Sequence, residues 1–583
     1  MEYFLPYCAG NVLPDSGRKD MNTSKIGVWG VLLGLALTCL SAGSVLANSR
    51  PADYKANGSI ALIEKAYSDG KLTLGDKIFR ELQAVMAPQD LPSSLASSLP
   101  EIVKCGTPYV EEALANWRIL TGDQQALATQ YLARPNLDST YISPSHAFAI
   151  HYSRSGNDAV PLEDLNLNNI PDYVERIGQY MDSVYHFYHT TLGYLPHPRD
   201  NDSLYDVYLL KIAAYGITVQ ESPGDSAWED YSSYIQIHCN FVNFPPNDDP
   251  EGDVIGAQKV TCAHEYYHAT QMAYNANMEA WWRESAATYF EEVSYPEVND
   301  NYGYLPTFFN YPDTFLTAGG YHMYSAFIWP QYLAAKFSLN ILRTIAERQR
   351  FYSILASIDS SLAPLGKTVK GIFPEFTVWN YFTGPRTGGI TYDSAADYPP
   401  VPLDRSLVAP FAAITPIYAP DGLAANYIMA YPESGSEGLL KIGFDGANTV
   451  EWGFSYVAFR GSTVDVHPGC AVDAQGRTSC GIYDIALYDS VLFVPAVVSQ
   501  WLNNNQYSFT ATINPFGDAD GNGSLNILDV SYLINYLYRY GTPPKYDYFI
   551  GDANCSGNVN ILDVSYIIKN LYREGPSPCP YRP

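Results

Sequence analysis

Charged residues are scarce in this chain, and basic residues are the scarcest of them. Lys, Arg, Asp and Glu make up 16% of the 583 residues, against about 25% in typical soluble proteins. The 34 basic residues stand against 61 acidic ones, which gives a formal net charge of -27 at pH 7. Because nucleic acid and anionic membranes attract basic surfaces, this balance argues against both as partners. Calcium binding is a better use of so many carboxylates.

Long hydrophobic runs are also missing, with one exception near the start of the sequence. Residues 26–47 are apolar, follow Lys25 and end at Ala47, where signal peptidase requires a small residue. The sequence therefore predicts a signal peptide over residues 1–47 and an exported chain with no membrane span after its removal. The alternative is an uncleaved anchor, because a run of this length could cross a bilayer.

The most informative pattern is an HExxH motif formed by His264, Glu265 and His268. On a helix, residues four apart lie on the same face, so both imidazoles can bind one zinc ion. Zinc lowers the pKa of a water molecule towards about 7, and a nearby glutamate can accept the proton as the water attacks a carbonyl. The motif predicts a metal site with its own base, which can cleave amides.

The third ligand must come from outside the motif. The metzincin pattern is excluded, because Gln271 and Tyr274 stand where it has a glycine and a further ligand. A glutamate on a second helix is the remaining source, and Trp281-x-x-Glu284-x-x-Ala287 resembles the Trp-x-x-Glu-x-x-Ala of aminopeptidase-type gluzincins. This resemblance implies Glu284 as the third zinc ligand.

The resemblance to the gluzincin zinc peptidases, and in particular to large secreted bacterial metalloproteases, extends over residues 140 to 400 and is specific at the two helices that carry the HExxH motif and Glu284. The spacing from His268 to Glu284 is shorter than in thermolysin or the aminopeptidases, so Glu279 and Glu291 stay open as alternative ligands. Gluzincins use a downstream Tyr or His as donor to the oxyanion of the tetrahedral intermediate.

The candidates for this oxyanion donor are His322 and Tyr324, and the alternative for each is a packed aromatic residue without a chemical role.

Seven cysteines follow the predicted signal peptide, and in an oxidising compartment they can pair. Cys470 and Cys480 flank a turn and are expected to staple a hairpin. Cys555 and Cys579 could clip the C-terminal region.

Cys105 is the cysteine with a possible role in regulation. It lies in Cys105-Gly106-Thr107-Pro108, which resembles the cysteine switch by which matrix metalloprotease propeptides block their zinc. The alternatives are a disulfide to Cys239 or Cys262 and a merely buried thiol.

The pattern of residues changes several times along the chain, which predicts a multidomain α+β protein. Residues 48–138 show helical patterns and breaks typical of a propeptide. Residues 139–398 mix strands and helices as a zincin-type catalytic domain requires, with helices expected over 256–274, 278–293 and 324–337. Apolar residues then alternate at period two over 403–514, which predicts an antiparallel β-sandwich.

Residues 515–583 contain a duplication with an offset of 34 residues. The first copy offers oxygen ligands in the order of an EF-hand calcium loop: Asp518, Asp520, Asn522, Ser524, Asn526 and Asp529. The second copy offers the equivalent set: Asp552, Asn554, Ser556, Asn558, Asn560 and Asp563.

Two such loops, each with only an exiting helix, resemble a dockerin, which binds cohesin modules of a scaffold. The apolar pairs Ile527-Leu528 and Ile561-Leu562 stand where dockerins contact their partner. The alternative is that these pairs pack the two helices together.

A third loop of this kind precedes the first long helix of the catalytic region. Asn169 occupies its turn position and tolerates left-handed geometry. The calcium ligands predicted for this loop are Asp164, Asn166, Asn168, Asp172 and Glu175. The alternative is an Asn-rich turn with a helix cap.

The sequence therefore predicts a secreted zinc endopeptidase that acts on protein or peptide substrates and is attached to a scaffold or cell surface through a calcium-dependent dockerin. A non-catalytic, scaffold-docked adhesion or binding protein on a zincin framework is the main alternative. A dockerin-borne carbohydrate hydrolase would require two carboxylates that face each other across a sugar cleft, and nothing in the sequence singles out such a pair.

Overall fold

A computed structural model describes residues 58–98, 102–200, 202–388, 391–467, 470–500 and 502–582. The predicted signal peptide, residues 1–47, lies outside the described residues. None of the helices within the described ranges is both long and apolar enough to cross a membrane. Helix-rich and strand-rich regions follow one another along the chain, which gives the predicted multidomain α+β architecture.

The predicted propeptide region is mainly helical. Its helices are α1 (Ser59–Ser68), α2 (Leu74–Met86), α3 (Thr107–Ala115) and α4 (Gly122–Tyr131). Capping boxes formed by Thr73 and Thr121 begin α2 and α4, because each side chain accepts a backbone N–H of the first turn. Between α2 and α3 lies a short strand that the helical patterns do not predict, β1 (Val103–Cys105).

This strand belongs to a sheet whose other strands all lie in the predicted catalytic region, residues 139–398. The other strands of the sheet are β2 (Ser139–Ile142), β3 (Phe148–Tyr152), β4 (Tyr205–Leu210), β5 (Ala214–Pro223) and β6 (Tyr231–His238). Their order is β1-β5-β6-β4-β3-β2. β4 runs parallel to β3 and β6, β5 is antiparallel to β6, and β1 pairs in parallel with β5. Residues 48–138, the predicted propeptide, therefore supply an edge strand to the sheet that precedes the HExxH motif.

Among the described residues of the predicted catalytic region, 139–398, helices are more numerous than strands. They are α5 (Asp172–Tyr185), α6 (Asp253–Met272), α7 (Ala280–Ser294), α8 (Pro306–Phe309), α9 (Tyr321–Ser325), α10 (Ile328–Phe337), α11 (Asn340–Gln349), α12 (Ile354–Leu362) and α13 (Val369–Tyr381). Every residue of α6 from Gly256 to Met272 is buried, so α6 is a core helix that packs against α5, α7, β5 and β6.

The bounds of these helices agree with the sequence patterns at α6 and α7 but not at the predicted helix 324–337. That segment is divided between α9 and α10. Pro330 explains the division, because it has no N–H to donate to the carbonyl of Ala326 and its ring would clash with that carbonyl in a continuous helix.

Residues 403–514 form two packed sheets. Their strands are β7 (Arg405–Ala409), β8 (Phe411–Ile414), β9 (Ala424–Ala425), β10 (Ile428–Pro432), β11 (Leu439–Gly446), β12 (Trp452–Arg460), β13 (Thr463–His467), β14 (Arg477–Ile482), β15 (Ser490–Val497) and β16 (Tyr507–Asn514). One sheet has the order β13-β12-β15-β10-β7, with β9 beside β15, and the other has the order β14-β11-β16-β8.

The prediction of a purely antiparallel sandwich is wrong at one pair, since β7 and β10 are parallel. The chain passes through the opposite sheet as β8 between them, and such a crossover permits parallel pairing.

The C-terminal region carries two helices, α14 (Ile527–Tyr538) and α15 (Ile561–Tyr572). It packs on the sandwich through Leu439, Phe516 and Ile550, which form one apolar cluster. The guanidinium of Arg582 donates to the buried carboxylate of Asp484 at 2.6 Å. The end of the described chain is therefore fixed to the β-sandwich.

Both predicted disulfides are confirmed. Cys470 pairs with Cys480, and Cys555 pairs with Cys579 over a separation of 24 residues. The second bond joins the second calcium-type loop to the segment that reaches the sandwich. The thiols of Cys105, Cys239 and Cys262 are buried and free, so the alternative that Cys105 forms a disulfide is not what this structure contains.

Replacing Cys555 and Cys579 together by Ala is expected to destabilise the C-terminal region by about 3 kcal/mol, because the bond closes a long loop in the unfolded chain. Limited proteolysis should then release this region about 100-fold faster, since cleavage follows the population of the open form. The double Ala variant of Cys470 and Cys480 is the control. Equal release rates for the two double variants would contradict the expectation.

Candidate metal centre and calcium loops

The three predicted zinc ligands converge in the core. His264 and His268 lie one turn apart on α6, and Glu284 faces them from α7. The distance from Glu284 Oε2 to His264 Nε2 is 3.2 Å, and that from Glu284 Oε1 to His268 Nε2 is 3.3 Å. All three side chains are at most 2% exposed. The two Nε2 atoms and the carboxylate oxygens of Glu284 therefore converge on one candidate metal position.

Cys105 supplies a fourth donor to this place. Its Sγ is 3.5 Å from His268 Nε2, and one ligand atom from each of Cys105, His264, His268 and Glu284 lies within 4.8 Å of all the others. Imidazole nitrogen, thiolate and carboxylate are the ligands that zinc takes in proteins, and four donors suit its tetrahedral geometry. The donor set therefore fits zinc.

Hydrogen bonds orient both imidazoles from behind. His264 Nδ1 lies 2.7 Å from Glu291 Oε1, and His268 Nδ1 lies 2.8 Å from Gln271 Oε1. Gln271 is itself fixed, because its Nε2 donates to the carbonyl of Arg283 at 3.1 Å. Partners of this kind set the tautomer and direction of metal-binding histidines. Glu291, an alternative ligand by sequence, thus contacts the outer nitrogen of His264 instead.

The carboxylates of the cluster favour the binding of a cation. Burial disfavours a charged imidazole at His264, but the carboxylates of Glu284 and Glu291 outweigh it and raise the pKa of His264 to about 10. Burial likewise opposes ionisation of Glu284, yet the two imidazoles lower its pKa to about 2. In the absence of metal a proton on the imidazole compensates the carboxylates, and metal binding would release that proton.

The predicted base, Glu265, has one oxygen held and one oxygen unpaired. Thr218 Oγ1 donates to its Oε2 at 2.7 Å, and Thr107 Oγ1 lies 3.4 Å from the same atom. Oε1 is buried without a hydrogen-bond partner among the described residues. Gly216 on β5 makes room for this side chain, since a Cβ there would lie 2.4 Å from Glu265 Cγ. The free oxygen is available to accept a proton.

The two candidate oxyanion donors differ in position. The hydroxyl of Tyr324 donates to the carbonyl of Cys105 at 3.3 Å, so it lies beside the donor set. His322 packs against Phe308, and neither of its ring nitrogens has a hydrogen-bond partner within the described ranges. Burial lowers the pKa of His322 to about 4. The structure thus brings Tyr324 to the centre, whereas none of the contacts described for His322 joins it to the four donors.

Several residues that contact the centre were not predicted from the sequence. Gln271 could have been found, because it lies one turn after His268 on the same helix face. Thr107 and Thr218 carry no recognisable signal, since both contacts with Glu265 depend on the tertiary fold. Thr218 reaches Glu265 because α6 packs on β5, and Thr107 reaches it because β1 pairs with β5.

The dockerin-type loops have the backbone of a calcium site. In the first loop, Asp518 accepts from the backbone N–H of Asn522 at 3.1 Å and of Gly523 at 2.8 Å. In the second loop, Asp552 accepts from the equivalent groups of Ser556 and Gly557 at 3.0 and 2.6 Å. Carboxylate oxygens lie within 4.8 Å of one another in the first loop at three positions: Asp518, Asp520 and Asp529.

The remaining predicted ligands of these loops lie on the same turns, but two of them have another role. Asn526 accepts from the N–H of Leu528 at 2.8 Å, and Asn560 accepts from the N–H of Leu562 at 2.9 Å. These side chains are the N-caps of α14 and α15, which satisfies backbone donors of the first helical turn.

The third predicted loop folds in the same manner. Asp164 accepts from the N–H groups of Asn168 and Asn169 at 3.2 and 2.8 Å, and Asn169 has a φ of 66°. The carboxylate of Glu175 accepts instead from the side-chain amides of Asn166 and Asn168. Asp172 accepts from the N–H of the residue after Asp164 at 3.2 Å. Calcium at this loop stays a prediction.

Comparisons with known proteins bear mainly on the C-terminal region. No curated protein matches the chain. The pre-peptidase C-terminal domain of a Bacillus anthracis collagenase has 10% identity and a TM-score of 0.15, and the match covers 19% of this chain and 97% of that one. The CUB1-EGF-CUB2 region of human MASP-1/3 has 18% identity and a TM-score of 0.13, with 19% of this chain and 42% of that one covered. Residues 516–572 match the family profile of the dockerin type I domain, and the C-terminal region of this chain is therefore a dockerin.

Proposed function

We propose that this chain is a secreted, zinc-dependent endopeptidase of the gluzincin type, with its active site closed by its own propeptide region. The observation that carries the proposal is the convergence of Cys105, His264, His268 and Glu284 on one place, with the unpaired oxygen of Glu265 on the same buried helix. The dockerin attaches the enzyme to a scaffold outside the cell.

The residues of the centre match the requirements of peptide hydrolysis. His264, His268 and Glu284 would hold a zinc ion, which would supply a Lewis acid for the peptide carbonyl and make water more acidic. Glu265 accepts the proton of the attacking water on Oε1 and can return it to the leaving nitrogen, while Thr218 holds the other carboxylate oxygen. The Tyr324 hydroxyl already donates to a carbonyl oxygen, that of Cys105, and is the candidate oxyanion donor.

The propeptide region closes the site through one short segment. β1 pairs with β5, where the backbone N–H of Gly106 donates to the carbonyl of Gly216 at 2.9 Å. Within this segment Cys105 supplies the fourth donor and Thr107 contacts the base. Catalytic zinc sites keep one coordination position open, whereas four protein donors leave none. Segment 103–107 therefore accounts for a latent state.

The dockerin supports attachment to a cohesin-bearing partner. Its core is formed by other residues, whereas Ile527, Leu528, Ile561 and Leu562 are 45, 58, 44 and 62% exposed. These exposed apolar pairs argue against the alternative that they only pack the two helices. Exposed apolar residues grouped on a surface are typical of protein-binding sites.

A second candidate function is supported by the number of donors, because four protein donors are also typical of structural zinc sites. In that case the chain would be a non-catalytic, scaffold-docked binding protein, and Cys105 would be a permanent ligand. Substitutions of Glu265 and of Cys105 have different expected outcomes under the two proposals.

Glu265→Gln should abolish hydrolysis and leave zinc binding intact, because the substitution removes the base without removing a ligand. The measurements are zinc per chain by elemental analysis and cleavage of denatured protein after the propeptide region has been released. Glu292→Gln is the control, since this α7 carboxylate contacts Asn301 and Tyr302 and none of the four donors. Undiminished hydrolysis by Glu265→Gln would rule out the proposed mechanism.

Cys105→Ala should raise the hydrolytic activity of the full-length chain by about tenfold or more, since removal of 1.4 kcal/mol of blocking interaction has that effect. Zinc content should not fall, because three ligands remain. Cys239→Ala, which removes another buried free thiol, is the control. If Cys105→Ala loses zinc and unfolds more easily without gaining activity, the thiol is a structural ligand.

Binding of cohesin modules should require calcium and only one of the two apolar pairs. Replacing Ile527 and Leu528 by Asp, or Ile561 and Leu562 by Asp, should leave binding nearly intact, because the duplicated surfaces can substitute for each other. All four substitutions together should weaken binding at least about tenfold, as loss of an interface hot spot does. Surface plasmon resonance with and without a calcium chelator is the measurement, and Tyr540→Ser, at another exposed residue, is the control.

A further inference from the structure

The ammonium of Lys104 lies in an enclosed pocket next to the metal centre. The Lys104 side chain is 1% exposed, and its Nζ is 2.8 Å from Glu291 Oε2 and also contacts the carboxylate of Asp300. Two aromatic rings complete the pocket, with Nζ 4.7 Å from the ring centre of Tyr215 and 5.8 Å from that of Tyr304. The pocket thus holds one cation with two carboxylates and two ring faces.

The walls and the occupant of this pocket come from different regions of the chain. Glu291 lies on α7, Tyr215 on β5, and Asp300 and Tyr304 follow α7, so all four belong to the peptidase region. Lys104 comes from the propeptide region. When the propeptide region leaves, the walls therefore remain and the cation is lost.

The pocket is directly linked to the metal centre. Glu291 presents Oε2 to Lys104 and Oε1 to His264 Nδ1, so a single carboxylate separates the ammonium from a metal-binding imidazole. The neighbour of Lys104 in sequence is Cys105, which supplies the fourth donor. A residue that enters the pocket is thus adjacent in sequence to the atoms that lie beside the metal.

The charge of the walls selects the occupant. Glu291 is 1% and Asp300 is 7% exposed, and a buried carboxylate without a cation is strongly destabilised. A neutral side chain would fill the volume but leave Glu291 Oε2 and Asp300 Oδ2 without a cation. Their other oxygens would keep only the contacts with His264 Nδ1 and the Tyr215 hydroxyl. A lysine side chain satisfies both carboxylates and keeps the contact with both rings.

We propose that this pocket is the primary specificity pocket of the enzyme and receives a lysine side chain of the peptide substrate in place of Lys104. The inference rests on the proposed peptidase function. It adds the substrate class: peptides with a lysine next to the scissile bond.

Chemical rescue tests the pocket without any hydrolysis. Lys104→Ala in the full chain removes the atoms of n-propylammonium and leaves the cavity. The variant should melt several degrees lower, and n-propylammonium chloride should restore part of that loss. Neither 1-propanol nor sodium chloride at the same concentration should do so. In the Lys104→Ala/Asp300→Asn chain the restoration should disappear, whereas in Lys104→Ala/Glu297→Gln it should persist, because Glu297 pairs with Lys259 and not with Lys104.

Equal effects of propylammonium and propanol, or no restoration in a folded Lys104→Ala chain, would overturn the proposal. Should Lys104→Ala not fold, cleavage specificity decides. The Cys105→Ala chain, incubated with a peptide library after its propeptide region has been released, should cleave at least tenfold more often next to lysine than next to methionine. Asp300→Asn in that chain should lower kcat/KM for lysine peptides by about tenfold and change it little for methionine peptides.

Different results would refute the peptidase function and the lysine pocket. Cleavage without a preference for lysine would refute the proposed specificity pocket but not the proposed peptidase function. If no variant cleaves any peptide, the proposed peptidase function is refuted. A peptide-binding measurement then tests the lysine pocket. For that measurement the Cys105→Ala/Glu265→Gln chain, after release of its propeptide region, should bind a fluorescent lysine peptide more tightly than its norleucine analogue. Equal affinities would refute the pocket.

Discussion

The carboxylates of Glu265, Glu284, Glu291 and Asp300 are buried at the candidate metal centre, and the rest of the centre depends on how each of them is compensated. Glu265, Glu284 and Glu291 are at most 1% exposed, and Asp300 is 7% exposed. At such depth an ionised carboxylate without a partner costs several kcal/mol. Glu284 faces two imidazoles, and Asp300 shares the Lys104 ammonium with Glu291. Among the described residues, Glu265 Oε1 and Glu284 Oε1 have no hydrogen-bond partner. Glu284 Oε1 faces His268 Nε2 at 3.3 Å, so Glu265 Oε1 is the oxygen left for a general base.

The segment that closes the site is also part of what stabilises it. Lys104 brings the cation for two carboxylates, Cys105 brings the fourth donor, and both lie on a strand that extends the sheet. Under the proposed function, release of this segment would open a coordination position and would leave Glu291 and Asp300 without their cation. A substrate with a positive charge would then replace that cation, whereas a neutral substrate would not. Latency, stability and selectivity would be consequences of the same contacts.

Local patterns in the sequence predicted the helices that carry the ligands, because helix periodicity is a short-range property. The spacing of His264 and His268 predicted that both side chains lie on one face of a helix. The turn position of Asn169 predicted its positive φ. The strand β1 could not be predicted, since it has three residues and its partner β5 begins more than 100 residues later. The pocket of Lys104 has the same origin, because Asp300 reaches it only through the tertiary fold.

The three calcium-type loops show how far a backbone determines a site before any ion binds. In each loop the first aspartate accepts two backbone N–H groups four and five residues later, whether the turn residue is glycine or Asn169. At the Asp164 loop the carboxylate of Glu175 is already held by the amides of Asn166 and Asn168. Calcium must displace both amides before it can use those oxygens. For the same number of ligands, this loop should therefore bind calcium more weakly than the dockerin loops, although its backbone is equally prepared.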